Sequence, residues 1–226
     1  MTLPLRSIRS MPSATDQKRI TCATCLRPQA ACICRWVAPV ANDVDVLILQ
    51  HPLEVHSAKG TARLLHLSLP RSRLVLGEVF DVPQLHGLLH APWSGAATPD
   101  ASVQPILLYP ETPGAPPSTP VDQAMLQVPA RLRLVVIDGT WRKSRKMLYL
   151  NPLLQALPRL PLGDVPPSQY HIRKAHRPGQ LSTLEATCHA LAQLEKDEAR
   201  YRPLLDAFDG FVAQQSALYM PSGENT

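Results

Sequence analysis

Aromatic residues are scarce, at 5% of the 226 positions. The core must therefore be packed with Leu, Val and Ala rather than with rings. Long apolar runs are missing too. The stretches around Leu47–Leu49 and Leu134–Ile137 fall far short of the ~20 residues that cross a bilayer, so no membrane association is expected. Residues 1–20 carry Arg6, Arg9, Lys18 and Arg19, with almost no acid and no apolar segment. That argues against a secretory signal and suggests a disordered tail over 1–19. No internal repeat is visible, and five cysteines are too few for a disulfide scaffold.

What is present bounds the answer further. Hydrophobic residues at 45% and charged residues at 18% allow a sizeable core and argue against global disorder. The length suits one full domain with a small appendage. Proline is abundant, 24 of 226 against a usual share of about 5%. That excludes a long coiled coil or a simple helix bundle, because proline breaks helix interiors. The net charge is +5. A soluble, cytoplasmic protein is expected, in a compartment where clustered cysteines serve metals rather than disulfides.

Short apolar runs alternate with helical periodicities. Strands are predicted at Asp45–Leu49, Arg73–Val79, Val103–Tyr109 and Leu132–Ile137. Helices are predicted at Ser57–Leu69, Gln84–His90, Thr140–Asn151, Ser182 to about Arg200, and Arg202–Leu218. Ser182 and Glu185 have capping-box spacing. Pro110–Pro129 and Pro158–Gly179 are proline-dense and read as loops, the first with at most a short helix near Asp122–Leu126. This alternation implies an α/β fold with a mostly parallel sheet flanked by helices. Ligands of such sheets bind beyond the carboxyl ends of the strands. There the sequence places His51-Pro-Leu-Glu54, Pro110-Glu111 and Asp138-Gly-Thr-Trp141.

Cys22-x2-Cys25-x6-Cys32-x-Cys34 puts four soft ligands in one short segment. Zinc favours tetrahedral thiolate sets, and four sulfurs leave no open position for water, so the expected site is structural. It would hold together a segment, 20–40, too small for its own core. Cys188 lies on an apolar helix face and reads as core. His86 and His90 are four apart but lack a third ligand, so they read as surface. In the Asp138–Trp141 turn, Gly139 permits a close backbone approach, Thr140 is a plausible N-cap and Trp141 offers a stacking ring. Arg142, Lys143, Arg145 and Lys146 follow. Arg173-Lys174-x-His176-Arg177 forms a second basic stretch, with Arg131 and Arg133 adding to both. The residues alone allow two readings: a ligand site beside a nucleic-acid surface, or a capped, solvated basic helix.

These motifs resemble those of DTW-domain proteins. The cysteine cluster with Leu26-Arg27-Pro28 inside it, His51-Pro52-x-Glu54, Gly60-Thr61-x-Arg63-Leu64-Leu65, Leu108-Tyr109-Pro110, Asp138-x-Thr140-Trp141, Tyr170-x-Ile172-Arg173 and Ser182-Thr183-Leu184-Glu185-Ala186 occur in the family's order. They cover roughly residues 20–195. Gly60 departs from an asparagine more usual in the family.

The resemblance implies a tRNA-uridine aminocarboxypropyltransferase. Such an enzyme moves the 3-amino-3-carboxypropyl group from the co-substrate S-adenosylmethionine to N3 of a uridine in tRNA and releases methylthioadenosine. It implies a SPOUT-like catalytic domain over 41–226 with a C-terminal knot, behind the zinc-binding segment 20–40. Asp138 is then the expected base or N3-orienting acceptor. Leu108, Tyr109, Pro110, Thr140, Trp141, Ser182, Thr183 and Leu184 are the expected cofactor contacts. Arg142, Lys143, Arg145, Lys146, Arg173, Lys174 and Arg177 are the expected RNA contacts. The rivals are a SPOUT-class RNA methyltransferase, a non-catalytic zinc-ribbon RNA-binding protein, and an enzyme acting on rRNA. The oligomeric state is open, with a monomer compatible.

Overall fold

A computed structural model describes residues 20–93, 103–110, 121, 124–162 and 181–219. The tail at 1–19, the basic stretch Arg173–Arg177 and the Tyr170-x-Ile172-Arg173 motif lie outside the described residues, as do most of the two proline-dense loops.

Four parallel strands form one sheet in the order β2-β1-β4-β3, with β1 at Asp45–Gln50, β2 at Ser72–Leu76, β3 at Gln104–Leu108 and β4 at Leu132–Asp138. Every residue of β1 and β4 is buried. Central strands of a parallel sheet are covered on both faces, which explains their continuous apolar runs.

Alternation along the strands sends side chains to two cores. Val46, Ile48, Leu134 and Val136 pack with α1 (Ala62–Ser68), α5 (Thr183–Glu195) and α6 (Glu198–Tyr219). Leu47, Leu49, Val135 and Ile137 pack with α2 (Val82–His90), α3 (Trp141–Leu150) and α4 (Pro152–Gln155). Both cores are mainly aliphatic, as the scarcity of rings requires.

Several boundaries differ from the sequence reading. The helix expected from Ser57 begins at Ala62. Tandem turns come first, with Ser57 N–H donating to Glu54 and Gly60 N–H donating to Ser57. β2 stops at Leu76, and its ladder ends as Gly77 N–H donates to Gln50 O (3.0 Å). A Cβ at Gly77 would sit 2.5 Å from the buried Phe80 ring, so any side chain there would have to displace that ring. The break between the last two helices is at Lys196, in the left-handed region at φ 55°, rather than after Arg200. Asp197 caps α6 by accepting from Arg200 N–H (3.0 Å), and Pro203 lies inside that helix. α4 was not anticipated. Pro152 opens it, since proline's missing N–H costs nothing in a first turn.

Arg133 corrects the sequence reading as well. It is fully buried, not an RNA-facing cation. Its guanidinium donates to the carbonyls of Leu88, Leu89 and Ala91 at the C-terminus of α2 and pairs with Asp45 (2.9 Å). A cation suits a helix C-terminus, where orphan carbonyls carry partial negative charge. The group anchors the end of the sheet opposite the strand exits.

Candidate functional site

β1 and β4 are neighbours, yet their following helices pack on opposite faces of the sheet. That arrangement is a topological switch point. The diverging chains leave a crevice beyond the carboxyl ends of the strands.

Asp138 lies at its floor, 3% exposed. Gln50 Nε2 donates to one carboxylate oxygen (2.9 Å) and Thr183 Oγ1 to the other (2.7 Å). The main-chain carbonyl of Asp138 accepts from His51 N–H (2.9 Å). One acid thus joins the ends of β1 and β4 to the start of α5. Next to it, Gly139 packs closely on α3: a Cβ there would meet Lys143 Cβ at 3.2 Å and push it by a few tenths of an ångström. Thr140 caps α3, its hydroxyl accepting from Lys143 N–H (3.4 Å).

The charged wall of the crevice is ordered. Lys143 pairs with Glu54 (2.7 Å), and Glu78 accepts from both Lys146 and His51 (2.9 Å each). The Lys146 ammonium first, and then the His51 ring, hold the Glu78 carboxyl below its ordinary range. His51 has two tasks, because its Nδ1 also accepts from Leu53 N–H (3.1 Å) and caps the turn at Pro52–Glu54. Asn151 accepts from Phe80 N–H (2.9 Å) and donates to Glu78 O (2.9 Å). It ties the end of α3 to the exit of β2.

Across the crevice, Tyr109 follows β3. Its ring meets Trp141 edge to face, with centroids 5.8 Å apart. The Tyr109 hydroxyl is buried with no hydrogen-bond partner among the described residues. Such a group costs about 1–3 kcal/mol while unsatisfied. Arg159 lies over the same ring and donates to Pro110 O (2.9 Å). Ser182 and Glu185 complete the expected capping box (2.8 and 3.2 Å).

The structure therefore gathers Asp138, Thr140, Trp141, Tyr109, Pro110 and Thr183 around the strand exits. Leu184 is different: its side chain is in the core, and its N–H donates to Thr61 Oγ1 (3.3 Å). Arg142 and Arg145 are exposed, whereas Lys143 and Lys146 are held in ion pairs. Gln50, Glu78 and Asn151 were missed by the sequence reading. Gln50 had a signal, as the last residue of an apolar strand; the other two are joined only by the fold.

The second centre is the cysteine cluster. All four Sγ atoms lie within 4.8 Å of one another, with Cys22 and Cys34 at 3.6 Å and Cys25 and Cys32 at 3.7 Å. A tetrahedron with metal–sulfur bonds of about 2.3 Å has edges of about 3.8 Å, so these residues fit a zinc ion. Backbone N–H groups of Cys25 and Thr24 lower the Cys22 thiol to about 6, while burial first and neighbouring thiols next push Cys34 up to about 12. Leu26 takes the left-handed conformation (φ 60°) to turn the loop.

The segment is gripped by the rest of the protein. Arg27 donates to Ala58 O and Gly60 O (2.6 Å each) and lies over the Phe211 ring. Arg63 donates to Thr24 O (2.7 Å), and Gln214 donates to Cys32 O (3.1 Å). Cys188 is fully buried, as expected, and burial raises its thiol strongly. Among the described residues the cysteine cluster is the one group placed to hold a metal. The His86 and His90 rings lie side by side on α2, tilted by 38°, with no third ligand among the described residues. Among the described residues no helix is long and apolar enough to cross a membrane.

Comparison with known proteins gives a consistent result. The profile of the DTW domain matches residues 19–216. The tRNA-uridine aminocarboxypropyltransferase 2 of Mus musculus is 31% identical over 216 residues, covering 92% of this chain and 68% of its own. The protein of that name from Drosophila melanogaster is 33% identical over 182 residues, covering 79% and 68%. The tRNA-uridine aminocarboxypropyltransferase A of Arabidopsis thaliana is 26% identical over 234 residues, covering 90% and 84%. No solved structure matches this chain.

Proposed function

The chain belongs to the DTW domain family, and from that premise we propose that it transfers an aminocarboxypropyl group from S-adenosylmethionine to N3 of a uridine in tRNA. The observation that carries the reading is coverage. Relatives named for this activity align over most of the chain, and the matched span, 19–216, contains every residue of the crevice. We further read the domain as SPOUT-like. The all-parallel sheet and the crevice at its switch point support that assignment.

Within the crevice, S-adenosylmethionine would be held by Leu108, Tyr109, Pro110, Thr140, Trp141, Ser182 and Thr183, with Leu184 acting through its main chain. The residues present fit it, because the buried Tyr109 hydroxyl has no hydrogen-bond partner among the described residues. The N-terminus of α3, with its outward N–H groups, also suits a carboxylate. The sulfonium makes its attached carbons electrophilic. Which carbon reacts depends on which one the site sets in line with the nucleophile.

Asp138 accepts the N3 proton of the uridine in this reading. Gln50 and Thr183 fix its two oxygens, so a carboxylate is aimed without having to reorganise. Arg142 and Arg145 would meet phosphates, as would Lys143, Lys146, Arg173, Lys174 and Arg177. Each neutralised phosphate adds affinity through counterion release. The zinc at Cys22, Cys25, Cys32 and Cys34 is structural. We place the protein in a reducing cytoplasm, where clustered cysteines serve metals rather than disulfides.

The test is the by-product released when the protein is incubated with S-adenosylmethionine and tRNA. Methylthioadenosine supports aminocarboxypropyl transfer. S-adenosylhomocysteine would assign a methyltransferase, and tRNA binding with neither product would assign a non-catalytic RNA-binding protein.

A further inference from the structure

The outer face of α3 has a composition that the fold does not use. Five of its ten residues are exposed: Trp141, Arg142, Arg145, Lys146 and Tyr149. At about 100° per residue all five fall within a sector of about 140°. Trp141, Arg145 and Tyr149 are spaced four apart and form a row about 12 Å long at ~1.5 Å per residue.

Tyr149 is 77% exposed and makes no ring contact among the described residues. Trp141 is 47% exposed and stands at the mouth of the crevice, its ring edge-on to Tyr109. The helix has four cations and no acid. Glu54 and Glu78 neutralise Lys143 and Lys146, whereas Arg142 and Arg145 have no carboxylate partner among the described residues. An exposed aromatic row interleaved with unpaired guanidinium groups is the chemistry that binds single-stranded nucleic acid. Rings stack on bases and arginines meet phosphates or stack in turn. A duplex offers no open base faces to such a row.

We propose that the Trp141–Arg145–Tyr149 face of α3 is a stacking platform for unpaired nucleotides flanking the target uridine, with Tyr149 as its outer base-stacking residue. The proposal rests on the reading that the substrate is RNA. The row starts beside Asp138 and leads outward, so a strand lying on it would deliver one nucleotide to the crevice. The charge of the face commits the occupant to a polyanion. The spaced rings select an unpaired one.

The experiment measures binding of a labelled single-stranded oligoribonucleotide containing uridine, and of the same sequence closed in a duplex, to wild type, Tyr149→Ala and Tyr149→Phe. Stacking is worth about 1–3 kcal/mol per base, so Tyr149→Ala should weaken single-strand binding by about 5- to 150-fold. Tyr149→Phe should bind like wild type, because the ring and not the hydroxyl is used. Duplex binding should change little. The melting temperature and S-adenosylmethionine binding of Tyr149→Ala should stay at wild-type values, since the side chain is outside the core. Wild-type single-strand affinity in Tyr149→Ala would overturn the proposal, as would equal losses in Tyr149→Ala and Tyr149→Phe. A Tyr149-dependent dimer in sedimentation would assign the face to a second copy instead. Product assays on the same samples separate the two claims. Transfer to tRNA by wild type with no binding defect in Tyr149→Ala sinks the platform alone. A Tyr149-dependent single-strand affinity without any transfer sinks the enzymatic reading alone.

Discussion

Asp138 ends a strand in which every residue is buried, and its carboxylate is spanned by Gln50 and Thr183. Asp138→Asn can keep its oxygen on Gln50 and turn its amide to Thr183, whose hydroxyl can accept as well as donate. The expected stability loss is about 1–2 kcal/mol, because hydrogen bonds to a charged group are worth more than neutral ones. If the acid also takes the N3 proton, single-turnover transfer should fall by about 10²- to 10⁴-fold, with S-adenosylmethionine binding retained in the folded variant. A folded, cofactor-binding Asp138→Asn that transfers at the wild-type rate would remove Asp138 from the chemistry. At this scale the sequence was readable where function coincides with a local rule. Thr140 and Ser182 are N-caps next to apolar periodicity, so their positions followed from spacing. Glu78 and Asn151 obey no local pattern: one follows a strand and the other ends a helix, and only tertiary packing makes them partners. Arg133 misled because a cation near other cations reads as surface, whereas here a helix C-terminus and Asp45 compensate its burial.

At the scale of elements, the cysteine-cluster segment is coupled to the loop that leaves β1. Arg27 is not a metal ligand, yet its guanidinium holds Ala58 O and Gly60 O. Thr61, one residue on, accepts from the N-terminus of α5. Arg27→Ala should keep its zinc but loosen residues 54–60. Hydrogen exchange there should rise by an order of magnitude or more, given about 1.5–3 kcal/mol for hydrogen bonds from a charged donor. Unchanged protection with unchanged zinc content would show that the two elements are independent. Cys32→Ser removes one of four sulfurs and should abolish stoichiometric zinc in the purified protein. Periodicity gave the central strands and the main helices well, since a continuous apolar run and a 3.6-residue repeat are strong signals. It failed at junctions such as Leu76 and Lys196, where a single glycine contact or one left-handed residue decides the boundary.

Across the whole molecule, stability should fall in mild acid. Burial, reinforced by the Arg63 cation, lowers the pKa of His66, and burial together with the His86 ring lowers that of His90. A lowered histidine binds fewer protons folded than unfolded. Stability is therefore complete above the unfolded value of about 6.5 and declines as pH drops below it. Glu78 acts in the same direction at lower pH, since its depressed carboxyl stabilises the fold above the unfolded carboxylate value and loses that contribution on protonation. Thermal melts from pH 7.5 to 5 should show a decline that is shallower in His66→Gln than in wild type; parallel curves would contradict the assignment to His66.

The architecture also explains why the crevice lies where it does. Adjacent β1 and β4 send their chains to opposite faces, and the motifs at His51–Glu54, Leu108–Pro110, Asp138–Trp141 and Ser182–Thr183 meet there from distant parts of the sequence. The measurement that bears most directly on the account is mass spectrometry of nucleosides from tRNA treated with the protein and S-adenosylmethionine. The account predicts a uridine heavier by one aminocarboxypropyl group, carried on N3 and absent with Asp138→Asn. A methylated nucleoside, or unmodified tRNA from a folded, zinc-loaded protein, would contradict it.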